Sequence, residues 1–237
     1  MQKSWAIEKQ IISYSCLNRH VETCGFVLKN EQIVICPNMA ADPTKDFEIS
    51  ADDYAMYEPE IIAVWHSHPF GSLFSPADVR ACKASNLPWI LYDCKSGIFR
   101  YADPTGNAPY LGRDFVYGLN DCFGLVTDWL RREMNFDFPD VDRYEDEPVP
   151  SQKILGEFPS LMERSGLIRV KDIQEGDVLF IQTRSPLPNH AAIMVDLEKN
   201  HILHHLIESP SAIDFYGCYW RNNTHSVWRV PSEINQG

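Results

Sequence analysis

The sequence predicts an α+β protein of two domains rather than one doubly wound parallel sheet. Three observations predict it. At 237 residues the chain has room for one large domain or two small ones. The stretch YADPTGNAPYLGR (101–113) crowds Pro104, Gly106, Pro109 and Gly112 together and reads as a boundary. Beyond it a single strong helix is followed by a run of strands, an order that suits segregated helix and sheet. A hydrophobic share of 44% and an aromatic share of 12% let each half bury its own core.

In the first half, Ile7, Ile11 and Tyr14 recur at helical spacing and predict a short helix from Ile7 to Asn18. CGFVL (24–28) and QIVIC (32–36) are apolar strands joined across Lys29-Asn30-Glu31, a hairpin-like turn. PNMAADPTKDFEIS reads as a loop leading into a strand. IIAVW (61–65) is a buried strand by composition, ending at His66. Ser75-Pro76-Ala77-Asp78 opens a helix, with Ser at N-cap, Pro at the first position and an acid at the third. WILYD (89–93) is the next strand.

In the second half, Asp121 is a natural N-cap for a helix running to about Asn135, with Val126, Trp129, Leu130 and Met134 in one stripe. An acidic loop (141–149 and beyond) follows, then a helical reading from Ile154 to Glu163. The strands GDVLFIQ (176–182), HAAIMVD (190–196) and HILHHL (201–206) complete the order, with a late YW…VWRV strand.

Charge excludes one class of function. Lys and Arg total 21 against 33 Asp and Glu, a net −12, so no basic stripe exists to displace the counterions of a nucleic acid. No apolar run approaches the roughly 20 residues of a membrane span, so no membrane insertion is expected. The first ten residues carry charges and no apolar core, unlike a signal peptide. The seven cysteines are scattered without a C-x-x-C pair, as expected of reduced thiols in a cytoplasm.

Two constellations carry chemistry. His66 and His68 lie two apart at a strand end, where period-2 geometry puts both imidazoles on one face. Asp78, ten residues on, offers a carboxylate as third ligand to a catalytic zinc that keeps one position open. Ser75 to Asp78 alone would be an ordinary helix start, and Glu22 alone an exposed carboxylate at a strand edge. Together, Glu22 in VETCGFVL, HSHP at 66–69 and SPAD at 75–78 resemble the JAMM/MPN metalloprotease family. Six residues separate His68 from Ser75, one fewer than in that family's pattern. The resemblance implies Zn2+ held by His66, His68 and Asp78, with Glu22 as general base and Ser75 helping to hold the oxyanion.

The second constellation begins at Cys122, placed at the first position of the helix that Asp121 caps. There the helix dipole and free N–H groups favour a thiolate. Such a nucleophile needs an imidazole and a group to orient it. His190 begins a strand, and a five-residue connection (196–200) would place His204 on its face, whereas a four-residue one would select His205. GLNDCFGLV, GDVLF and NHAAIMVD…ILHH resemble the NlpC/P60 family. That resemblance implies Cys122 as nucleophile, His190 as base, His204 as the polar orienter and peptidoglycan stem peptides as substrate.

The expected domains are therefore 1–103, a JAMM/MPN-like β-sheet with flanking helices, and 110–237, an NlpC/P60 papain-like helix plus antiparallel sheet. Their order resembles the tail-tip assembly proteins of long-tailed bacteriophages. It implies a protein made in the host cytoplasm and destined for the tail tip, with other tail-tip proteins as partners.

Overall fold

The computed structural model describes residues 4–71, 73–139 and 159–231. The chain divides into two compact units, Met1–Thr105 and Gly106–Gly237.

The first unit begins with α1 (Trp5–Ser15), which ends three residues before the expected Asn18 because Cys16 already caps it. Strands β1 (Cys24–Leu28) and β2 (Ile33–Cys36) form the expected hairpin, turning where Glu31 takes a positive φ of 61°. The loop after β2 leads not into a strand but into α2 (Ala51–Tyr57) and a 3-10 turn. Ser50 caps α2 by accepting from the Asp53 N–H, a signal that the sequence carries. Then come β3 (Ile61–His68), α3 (Pro76–Ser85), β4 (Trp89–Asp93) and β5 (Phe99–Ala102), the last not anticipated. The sheet order is β2-β1-β3-β4-β5, with only β3 and β4 parallel.

β3 runs past its expected end at His66 to His68. Cys24 opposite His66 on one side, and Tyr92 and Asp93 opposite Ser67 and His68 on the other, keep it paired. As the central strand it is buried on both faces, which is why its sequence is nearly continuously apolar. Ala63 and Trp65 pack with Ile7 and Ile11 of α1, Val27, Ile90 and Tyr92. Gly25 is required at this core: a Cβ there would lie 1.9 Å from the Val34 carbonyl oxygen. That oxygen already accepts from Trp65 Nε1 at 3.1 Å.

The second unit is built on α4 (Cys122–Met134), capped at its start by Asp121 and closed by Asn135 in the left-handed conformation. The acidic loop and residues 154–158 of the helical reading lie outside the described residues; 159–164 are helical. Strands β6 (Ile168–Val170), β7 (Val178–Ile181), β8 (His190–Asp196), β9 (His201–His204), β10 (Ala212–Phe215) and β11 (Thr224–Arg229) form one antiparallel sheet. Its order is β10-β9-β8-β7-β11-β6. β6 and β10 were not anticipated, being brief and mostly exposed. Tyr219 and Trp220, expected in the late strand, lie instead in a short α5 (Cys218–Asn223), and the strand begins only at Thr224.

The period-2 alternation of β7 and β8 divides the core. Val178, Phe180, Ala191 and Ile193 meet Phe123, Val126 and Leu130 of α4, with Trp228. Leu179, Ile181, Ala192 and Met194 face the other way, onto Ile202, Tyr216 and Val227. Burying one such side chain contributes about 1.5–3 kcal/mol, so this two-faced sheet anchors the helix whose first residue is Cys122. Among the described residues, no helix is long and apolar enough to cross a membrane. All seven cysteines are free thiols, with Cys24, Cys36 and Cys82 buried.

Candidate metal centre and Cys-His-His site

Four side chains of the first unit converge beside the end of β3. Glu22 stands just before β1, its backbone N–H donating to the Pro43 carbonyl (2.7 Å) and its carbonyl accepting from Asn38 Nδ2 (2.9 Å). It is buried, not the exposed strand-edge group it would be by position alone. His66 and His68 share one face of β3, and Asp78 comes from the first turn of α3. His66 Nε2 lies 3.2 Å from His68 Nε2 and 3.5 Å from Asp78 Oδ1. His68 Nε2 lies 3.4 Å from Asp78 Oδ2 and 3.6 Å from Glu22 Oε1. Ligand atoms bound about 2.0–2.1 Å from a tetrahedral ion stand roughly 3.3 Å apart, a separation the two histidine nitrogens match, while Asp78 turns one oxygen toward each ring. Among the described residues, His66, His68 and Asp78 are the group of three whose ligand atoms gather in this way.

The surroundings reinforce that reading. Phe47 stacks on the His66 ring at 4.6 Å, and Phe74 and Trp89 flank it. Burial holds the His66 pKa down against the pull of Asp78. Burial acts the same way on His68, but hydrogen bonding and charge from Asp78, with Glu22, raise it on balance. Burial opposes ionisation of Asp78 too, yet the two imidazoles hold it well below the usual carboxylate range. Burial pushes Glu22 up to about 7, only partly offset by His68, which gives a carboxylate poised to exchange a proton near neutrality. His66 Nδ1 has no hydrogen-bond partner among the described residues. A metal-bound imidazole usually donates from that nitrogen, so here the aromatic stack orients the ring instead.

The serines have separate duties. Ser67, between the two histidines, points to the opposite face and joins a buried hydroxyl chain, 2.8 Å from Thr23 Oγ1, itself 2.7 Å from Ser15 Oγ. Ser75 and Asp78 form a reciprocal capping box: Asp78 N–H donates to Ser75 Oγ (3.1 Å), and Ser75 N–H to Asp78 Oδ2 (2.7 Å). The cap thus fixes the carboxylate that faces the histidines.

In the second unit, Asp121 holds the start of α4 from both sides. Its Oδ1 accepts from Gly124 N–H (2.8 Å) and its Oδ2 from Gly118 N–H (2.7 Å). Gly124 is required because a Cβ there would lie 1.8 Å from the Leu119 carbonyl oxygen. Cys122, half-buried, therefore sits at a tightly held helix N-terminus, and α4 packs on β8 and β9.

His190 Nε2 lies 3.0 Å from His204 Nδ1, and His204 Nε2 lies 3.1 Å from Asp214 Oδ2. Trp220 of α5 covers the pair, edge-on to His204 at 4.8 Å and tilted over His190 at 5.7 Å. Burial, with the charges of His204 and His205, pushes His190 down to about 3. Burial also lowers His204, against the attraction of Asp214. His205 faces elsewhere, edge-on to Phe115 at 5.2 Å and within reach of the Asp121 charge, one residue from Cys122.

The connection between β8 and β9 is four residues, Leu197 to Asn200, the length expected to select His205. The structure selects His204 because the register shifts between Met194 and Asp196. Asp196 opposes His201 but Ala192 opposes His204, so one unpaired residue reverses the parity of the strand. Sequence reasoning also missed Phe47, Asp214 and Trp220. The first lies in an irregular loop, and the others lie in β10 and α5, whose patterns are too short to register.

These two arrangements match known families over the corresponding residues. Residues 6–102 match the family of prokaryotic homologs of the JAB domain, and residues 112–229 match the NlpC/P60 family. The fold and sites thus define a chain that joins a JAB-like domain to an NlpC/P60 domain. Tail tip assembly protein K of Escherichia phage N15 is 33% identical over 227 residues, 92% of each chain. Its counterpart in Escherichia phage lambda is 35% identical over 187 residues, 76% of this chain and 88% of its own. The chain belongs to the tail tip assembly protein K family.

Proposed function

We propose that this protein is a tail-tip assembly protein whose second domain hydrolyses amide bonds in peptidoglycan stem peptides, with a zinc isopeptidase-like site in the first. The observation that supports this reading most is the match of residues 112–229 to the NlpC/P60 family, with Cys122 at a capped helix start and His190 hydrogen-bonded to His204. Cys122 is the nucleophile, its thiolate favoured by the helix N-terminus that Asp121 holds. Neutral His190, kept so by burial, takes the thiol proton, and His204 fixes the plane of its ring. His190 then returns the proton to the leaving amine.

In the first domain His66, His68 and Asp78 would hold Zn2+, which would supply Lewis acidity there. Glu22, buried beside His68, takes and gives back a proton, and Ser75 Oγ lies at the same helix start to meet a developing oxyanion. Membership of the protein K family supports a place among other tail-tip proteins, in an infected host and then at the tail of the virion. The net −12 charge supports partners other than nucleic acid.

The test is a digest of purified peptidoglycan with wild type and Cys122→Ala, each with and without a chelator, read by mass spectrometry of released peptides. Loss of products in the Cys122 variant alone is the expected result. Cleavage retained by Cys122→Ala would remove the cysteine mechanism, and no products from wild type would favour a role in assembly alone.

A further inference from the structure

We propose that Asp214 is a positioning residue that sets the tautomers of both site histidines, extending the Cys122–His190–His204 arrangement to a fourth member. The inference rests on the peptidase reading above only for its effect on catalysis; its structural part stands by itself. β10 pairs with β9 so that Ala212 opposes His204 and Asp214 opposes Ile202. Asp214 is therefore the diagonal neighbour of His204 on the same face, within reach across an antiparallel pair. Its Oδ2 lies 3.1 Å from His204 Nε2.

An ionised carboxylate only accepts hydrogen bonds, so the proton of a neutral His204 is drawn to Nε2. Nδ1 of His204 then keeps a lone pair and accepts from His190 Nε2, 3.0 Å away. That places the proton of His190 on Nε2 and leaves its Nδ1 lone pair as the base. In the reaction the Cys122 S–H bond breaks and an N–H bond forms at His190 Nδ1. The resulting imidazolium keeps donating to His204, and no proton passes to Asp214. Without Asp214, His204 is free to carry its proton on Nδ1 and donate to His190. His190 would then hold its own proton on Nδ1, the nitrogen that must accept.

The titratable groups around the pair support this direction. From β10 comes Asp214 and from the end of β9 His205, and burial keeps both His190 and His204 from gaining a second proton. Trp220 shields the His190–His204 bond from one side. The Asp214 side chain is 52% exposed, so its removal opens no cavity and leaves the fold intact. Water can partly replace it, and the expected loss is moderate, about tenfold rather than the full ~10⁴-fold of a wholly wrong tautomer.

The experiment is nitrogen-15 NMR of the imidazole rings in the full chain, comparing wild type with Asp214→Ala and Asp214→Asn near neutral pH. In wild type, His204 and His190 are each expected as the Nε2–H form. In Asp214→Ala, His204 is expected to show a mixture, with His190 Nδ1 partly protonated. Identical tautomers in wild type and Asp214→Ala would overturn the proposal. In parallel, kcat on stem peptides should fall about tenfold in Asp214→Ala with KM within twofold, and Asp214→Asn should fall between. An inactive wild type would sink the peptidase reading, while the ring signals would still decide the role of Asp214.

Discussion

Asp78 has two duties, and a pair of substitutions separates them. Asp78→Asn keeps an oxygen to accept from the Ser75 N–H but turns an anionic ligand into a weak, neutral one. Ser75→Ala keeps the carboxylate but removes the oxygen that accepts from the Asp78 N–H. Loss of such a cap costs about 1 kcal/mol. In a unit spanning Met1–Thr105, that lowers its melting temperature by roughly 4–8 °C. Zinc at a hundred times its dissociation constant stabilises the folded site by about 2.7 kcal/mol. The same scaling makes that a rise of roughly 10–20 °C. Calorimetry of the full chain with zinc and with chelator reads this rise, and elemental analysis reads stoichiometry. The zinc-dependent rise should vanish in Asp78→Asn and persist in Ser75→Ala, and His66→Ala should bind less than one zinc per chain. Stoichiometric zinc and an undiminished rise in Asp78→Asn would refute the ligand set.

Two further outcomes follow from the second unit. Burial first, and the Arg113 charge, push His205 down to about 4 from 6.5, although Asp121 pulls the other way. The unfolded chain therefore binds the proton more tightly, so this stability is present above pH 6.5 and lost as pH falls towards 4. The slope is up to about 1.4 kcal/mol per pH unit. His205→Leu should remove about that slope from hydrogen-exchange stability across β8 and β9 between pH 6.5 and 4.5; an unchanged slope would contradict it. Gly124→Ala should destabilise the second unit by about 1–3 kcal/mol and slow alkylation of Cys122, because the new Cβ meets the Leu119 carbonyl. Wild-type alkylation kinetics in that variant would show that the helix start tolerates the shift.

Much of this protein is local, and the sequence by itself determined it. The caps at Ser75 and Asp121 place Asp78 and Cys122 at helix starts whatever the rest of the chain does. Two residues of separation put His66 and His68 on one face because a strand repeats every two. The sheet order, the run of β3 to His68 and the short elements β5, β6, β10 and α5 depended on partners distant in the chain. The NlpC/P60 resemblance pointed to His204, but strand geometry read from the sequence left His204 and His205 open, and only the tertiary structure shows which one meets His190. One unpaired residue before the turn reverses which side chains face His190, and no count of loop residues reveals it. It alone also brought Asp214 and Trp220 to that pair, because an edge strand and a short helix take their places from the sheet they join rather than from their own patterns.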